Sequence, residues 1–182
     1  MESVMKRPQE TVQSRLSRLE TLLKSGRAQQ VIRESRAVLR EDPHQIGALE
    51  VLAKAQWQAG QFAQLSKTIE TLIKLNPYEP GYFELRGFAC QALGQLGESI
   101  RSFARARDNS AAARAAVEDL RAFQVGIVLD LMKCDATFRI RYRRDAGDAC
   151  RSVGLDLLPD DEVAESWIAS PSLVQARSVR PS

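Results

Sequence analysis

The side chains able to do chemistry in this chain of 182 residues are few and scattered: one histidine, His44, and three cysteines, Cys90, Cys134 and Cys150. Acyl transfer or hydrolysis needs a nucleophile, a base and a third group that orients the base. His44 follows Pro43 and has neither a second histidine nor a placed carboxylate to work with, so no catalytic or metal-ligating role is indicated. The cysteines are odd in number, and none forms a Cys-x-x-Cys pair, which removes the spacing of a zinc site or a disulfide framework. Cys90 lies on an apolar helical face and reads as a small buried hydrophobe. Cys134 and Cys150 meet only if the C-terminal part folds back. We expect no enzyme, no metal and no cofactor.

A denser group is Phe138-Arg139-Ile140-Arg141-Tyr142-Arg143-Arg144. Read as a strand, it sets Arg139, Arg141 and Arg143 on one face, a ridge suited to phosphates. Read as a helix, it aligns Phe138, Tyr142, Ala149 and Val153 in a stripe toward Leu155, with Asp145 and Asp148 able to pair with Arg141 and Arg144. The helix is favoured, because an isolated strand in a helical chain has nothing to pair with. Nucleic-acid binding through Arg139 to Arg144 therefore ranks last among the binding readings. Bulk charge adds nothing to it: 26 basic against 23 acidic side chains leave a formal +3. No apolar run reaches the length of about 18 residues that a membrane span needs. The start of the sequence has no apolar core of a secretory signal, so a cytoplasmic location is expected.

The elements that must position any binding residues are set by a repeat. Gly26, Gly60 and Gly94 recur at a constant interval of 34, and Pro43 and Pro77 each follow a glycine by 17. Such a period means stacked helical units, each too small to bury its own apolar face. The register gives units at 12–45, 46–79 and 80–113, the third with Ala111 in place of the closing proline. Within each unit an apolar pattern of helical period runs up to the glycine and a second begins beyond it. In the second unit these are Leu49, Leu52, Ala53 and Trp57, then Phe62, Leu65, Ile69 and Leu72. In the third they are Phe83, Gly87 and Cys90, then Leu96, Ile100, Phe103 and Ala106. Glycine ends the first helix and proline resets the chain after the second.

These features resemble the tetratricopeptide repeat (TPR) family, with Gly60-Gln61-Phe62 and Leu75-Asn76-Pro77 matching the family's turn and closing segments. The small residue near the middle of the first helix is Ala53 in unit two and Gly87 in unit three. Unit one departs, with Leu19 there and Arg15 where the family prefers a large apolar residue, as suits an end repeat. The resemblance, over roughly residues 12–110, implies an all-α fold, an α-solenoid of three helical hairpins followed by capping helices. It also implies a concave groove lined by the first helices. Carried onto this chain, the groove positions include Glu20 and Leu23, Glu50, Lys54 and Trp57, and Glu84, Phe88 and Gln91. Leu23, Trp57 and Phe88 would form an apolar seam flanked by charge, with Trp57 the better anchor; packing between adjacent helices is the alternative for both aromatics. The positions at which one TPR subclass grips the carboxylate of chaperone tails hold Leu16, Glu20, Val51, Gly81 and Leu85, which argues against that ligand.

Beyond the repeats, residues 114–155 are expected to form capping helices. Asp108, Asn109 or Ser110 starts a long amphipathic one bearing Val117, Leu120, Phe123, Ile127, Val128, Leu131 and Met132. Residues 156–182 read as a short helix with Val163, Trp167 and Ile168, then a disordered tail; residues 1–11 read as a flexible start. The expected function is that of a non-catalytic adaptor binding a peptide or helix of a partner protein. The alternative is a chaperone of secreted substrates, similar to type III translocator chaperones, which also resemble three-repeat TPR proteins. A homodimer remains open.

Overall fold

In the computed structural model, which describes residues 11–155, the chain runs through nine α-helices and no strand. They are α1 (Val12–Lys24), α2 (Ala28–Glu41), α3 (Ile46–Gln58), α4 (Phe62–Leu75), α5 (Pro80–Ala92), α6 (Leu96–Ala106), α7 (Ala111–Cys134), α8 (Ala136–Arg144) and α9 (Ala146–Ser152). Helices α1, α3 and α5 start at Val12, Ile46 and Pro80, and α2, α4 and α6 start at Ala28, Phe62 and Leu96, so both series carry the spacing of the glycines. The expectations for residues 1–10 and 156–182 fall outside the described residues.

Local chemistry sets the helix ends. Gly60 sits at φ 67°, and its N–H donates to the carbonyl of Trp57 at 3.0 Å while that of Gln61 donates to Gln56 at 2.9 Å. This pair of bonds closes α3 and needs a left-handed residue between them. A Cβ at Gly60 would meet nothing within 4 Å, so alanine there strains only the backbone. We expect Gly60→Ala to cost about 1–2 kcal/mol. Gly126 also has open space around it, but it lies inside α7. There the same change should stabilise by about 0.8–1 kcal/mol. Opposite shifts of the two urea midpoints check the pair, and shifts of the same sign would contradict it. At the other ends, Ser110 caps α7 by accepting from the Ala113 N–H at 3.1 Å, and Thr11 caps α1 by accepting from that of Ser14 at 3.2 Å.

The chain divides between Leu93 and Gly94 into two compact units. In the first, α1 packs on α2 and α3, and α4 packs on α3 and α5. Helix α3 serves two cores at once. Val51, Leu52 and Ala55 join Leu16, Leu19 and Leu23 of α1 and Val31, Ile32 and Val38 of α2. Leu49 and Ala53 join Leu65, Ile69 and Leu72 of α4 and Tyr82 and Ala89 of α5. This two-sided sharing is what a repeat too small for its own core requires. Buried Thr68 donates to Gln56 at 2.8 Å and ties α4 to α3.

Arg15, out of place by apolar pattern, forms a two-pronged contact with Glu41 at 2.6 and 3.1 Å, which joins the start of α1 to the end of α2. The hydrogen bond from Arg15 holds the Glu41 carboxyl below its ordinary range. A depressed carboxylate pKa adds stability at pH values above the unfolded pKa, and that contribution is lost as pH falls through the folded one.

In the second unit, α7 packs on α6 and buries Ala113, Val117, Leu120, Gln124 and Val128. Val128 then meets Phe138 and Tyr142 of α8, Ala149 and Cys150 of α9, and Leu155. The helical reading of 138–144 holds, but the stripe does not continue to Val153, which is 44% exposed. Asp145 interrupts it by ending α8 and capping α9, accepting from the Asp148 N–H at 2.8 Å. Its carboxylate is thus used on backbone rather than on Arg141, and Asp148 lies 3.9 Å from Arg151 instead of pairing with Arg144.

Candidate partner-binding face of the first helices

Trp57 occupies the last turn of α3. Its ring meets Phe62 of α4 edge-on at a centroid distance of 5.4 Å and 76°, and Phe88 of α5 at 6.1 Å and 68°. Edge-to-face contacts of this kind set the positive ring edge against the negative face of a neighbour and fix ring orientation. Trp57 is nevertheless 39% exposed, while Phe62 and Phe88 are half-buried. The indole N–H makes no hydrogen bond among the described residues. Both aromatics thus pack between helices, and Trp57 also leaves a broad apolar surface uncovered.

Leu23 is placed differently. It is 8% exposed and belongs to the core of α1, α2 and α3. It stands one repeat before Trp57, but its shorter side chain fits beneath its neighbours where an indole must overhang. Phe62 takes its place as the third apolar member. The sequence pattern places Phe62 on the apolar face of α4, where it does pack against the core, and its position directly after the Gly60 turn, adjacent to the end of α3, is the signal for its contact with Trp57.

The charged rim also sorts into two groups. Half-buried Glu50 accepts a hydrogen bond of 2.6 Å from the hydroxyl of buried Tyr82, joining α3 to α5. Burial, then the bond to Glu50, pushes the Tyr82 phenol far above its ordinary range, so it stays a donor at every ordinary pH. Glu50 thus holds the two helices in register. Glu20, Lys54 and Gln91 are exposed and Glu84 is half-buried, and these remain open to a ligand. We expect Tyr82→Phe to cost about 1 kcal/mol and Glu50→Ala about 1–3 kcal/mol, because the second strands a buried hydroxyl. The double variant should cost clearly less than the sum. Additive losses in chemical denaturation would show that the bond does not couple α3 to α5.

The remaining candidates for chemistry do not assemble. Cys90 and Cys150 are buried and Cys134 is exposed, none of the three is in a disulfide, and burial pushes the Cys150 thiol up. Among the described residues no three histidine, cysteine or acidic side chains gather as metal ligands, and no helix is long and apolar enough to cross a membrane. The arginine ridge is incomplete, because Arg139 turns back to donate to the carbonyls of Met132 and Lys133 at 2.9 and 3.0 Å, closing the end of α7.

No family model matches this sequence, and no curated protein does. Solved structures do match. The first TPR of Spaghetti (RPAP3), bound to the HSP90 peptide SRMEEVD, is 18% identical with a TM-score of 0.57, covering 65% of this chain and 95% of its own. The NMR structure of the first TPR domain of human RPAP3 is 19% identical with a TM-score of 0.54, covering 58% and 86%. At such identities the likeness is one of fold. The glycine-stopped first helices, the constant helix spacing and these matches give the described residues an all-α, TPR-like helical-repeat fold.

Proposed function

We propose that this chain is a non-catalytic adaptor, working in the cytoplasm, that holds a short peptide or amphipathic helix of a partner protein against α1, α3 and α5. The observation that carries this reading is Trp57, a large side chain braced by two aromatic rings yet 39% exposed. A rigid aromatic of this kind gives much contact area at little entropic cost and is the usual centre of a binding hot spot. Glu20, Lys54, Glu84 and Gln91 would set the ligand's direction from the rim.

The solved neighbour bound to an HSP90 peptide supports a polypeptide ligand, but the ligand chemistry proposed here differs. At the positions that the family resemblance assigns to a carboxylate clamp, Leu16 and Val51 are buried, and exposed Glu20 would repel an acidic terminus. An apolar anchor facing Trp57 fits better, with a cationic residue within reach of Glu20 or Glu84. Selection of a random peptide library on the full chain, with counter-selection on Trp57→Ala, tests this. Enrichment of sequences with an apolar anchor beside lysine or arginine is expected. Enrichment of acidic C-termini, or of nothing that distinguishes the two proteins, would refute it.

A further inference from the structure

Helix α8 buries one side and leaves the other bare. Phe138 and Tyr142 pack with Val128, Ala149, Cys150 and Leu155, whereas Ile140 is 70% exposed. Arg143 and Arg144, three and four residues beyond Ile140, flank it on the helix surface, and both are exposed, as is Arg141. None of these three arginines makes an ion pair among the described residues. The nearby acids are occupied: Asp135 and Asp145 cap helices by accepting from the N–H groups of Phe138 and Asp148, and Asp148 lies by Arg151. An exposed isoleucine flanked by guanidinium groups that no acid neutralises among the described residues suits a ligand that is both acidic and apolar.

The chain carries such a ligand. Leu155 is buried in the same cluster as the inner side of α8, so the chain leaves this core beside that helix. Asp156, Asp160, Asp161, Glu162 and Glu165 follow, with no lysine or arginine before Arg177, and Val163, Trp167 and Ile168 are interspersed. Asp160 to Glu162 come five to seven residues after Leu155, a reach of roughly 16–23 Å. Helix α8 is only about 13 Å long, so each of its arginines is within range. A tether this short gives an effective concentration in the millimolar range, enough for individually weak charge pairs to hold.

We propose that residues 156–167 seat on the outer side of α8, their acids on Arg141, Arg143 and Arg144 and their apolar side chains over Ile140, so that the chain masks its own basic surface. This contact does not involve the Trp57 face. Trp167 reports on it once Trp57→Phe leaves it the sole indole of these 182 residues. At low salt we expect blue-shifted emission and acrylamide quenching several-fold weaker than in about 1 M salt, where screening falls to about 3 Å. Arg141→Glu, Arg143→Glu and Arg144→Glu together should give the unshielded signal at low salt. Adding Asp160→Lys, Asp161→Lys and Glu162→Lys should restore shielding. Trp167 that is equally quenchable in low and high salt would overturn the proposal. Shielding that rises with protein concentration would overturn it too, by placing the segment on a second copy.

Discussion

Trp57→Ala should weaken ligand binding about thirtyfold or more, equivalent to ~2 kcal/mol, without changing the helical content seen by far-ultraviolet circular dichroism. The ring is the broadest exposed apolar surface on α3, and truncation leaves a gap bounded by Phe62 and Phe88 that no remaining side chain of α3 fills. The same change removes two edge-to-face contacts, each worth about 0.5–1.5 kcal/mol, so some stability is lost as well. Titration well below the melting temperature separates the two effects. Lys67→Ala, on the exposed surface of α4, is the matched control and should leave affinity within about twofold. Unchanged affinity in a folded Trp57→Ala protein would remove Trp57 as the anchor.

Leu65→Ala should be the most destabilising of the simple substitutions, costing about 3–5 kcal/mol. Leu65 is fully buried and sits among Leu49, Ile69, Leu72 and Tyr82, where α3, α4 and α5 share one core. The cavity forms under the helix that carries Phe62 and beside the helix that carries Trp57, so the binding face should loosen with the core. Amide exchange in α3, α4 and α5 should accelerate together, as expected when a repeat draws its core from its neighbours. Acceleration confined to α4 would show that the helices do not share a cooperative core.

The features legible in the sequence are those fixed by local chemistry. Gly26, Gly60 and Gly94 mark left-handed helix ends because no other residue takes that conformation cheaply, and the apolar spacing between them can bury only as paired helices. Ser110 was one of three candidate caps and is the one used. Gly154, at φ 77°, ends α9 in the same manner as Gly60 but lies outside the repeat, so the period gave no cue to it. The site was less legible because its composition depends on which neighbour covers a side chain. Leu23 and Trp57 are equivalent in the repeat, and only packing decides that the first is covered and the second overhangs. Glu50 reads as a rim charge until the fold brings the Tyr82 hydroxyl to it from 32 residues away. Asp145 sits at helical spacing from Arg141, yet the backbone N–H of Asp148 captures it first.

Photo-crosslinking of a bound peptide selected on the full chain locates the ligand relative to the first helices. A benzophenone side chain replaces Lys54, Phe88 or Gln91 on the first helices, or Lys67 on α4, and the attachment sites are read by mass spectrometry. Strong labelling is expected from positions 54, 88 and 91, suppressed by Trp57→Ala, and little from position 67. Labelling from position 67 as strong as from 54 and 88, and unaffected by Trp57→Ala, would contradict that placement.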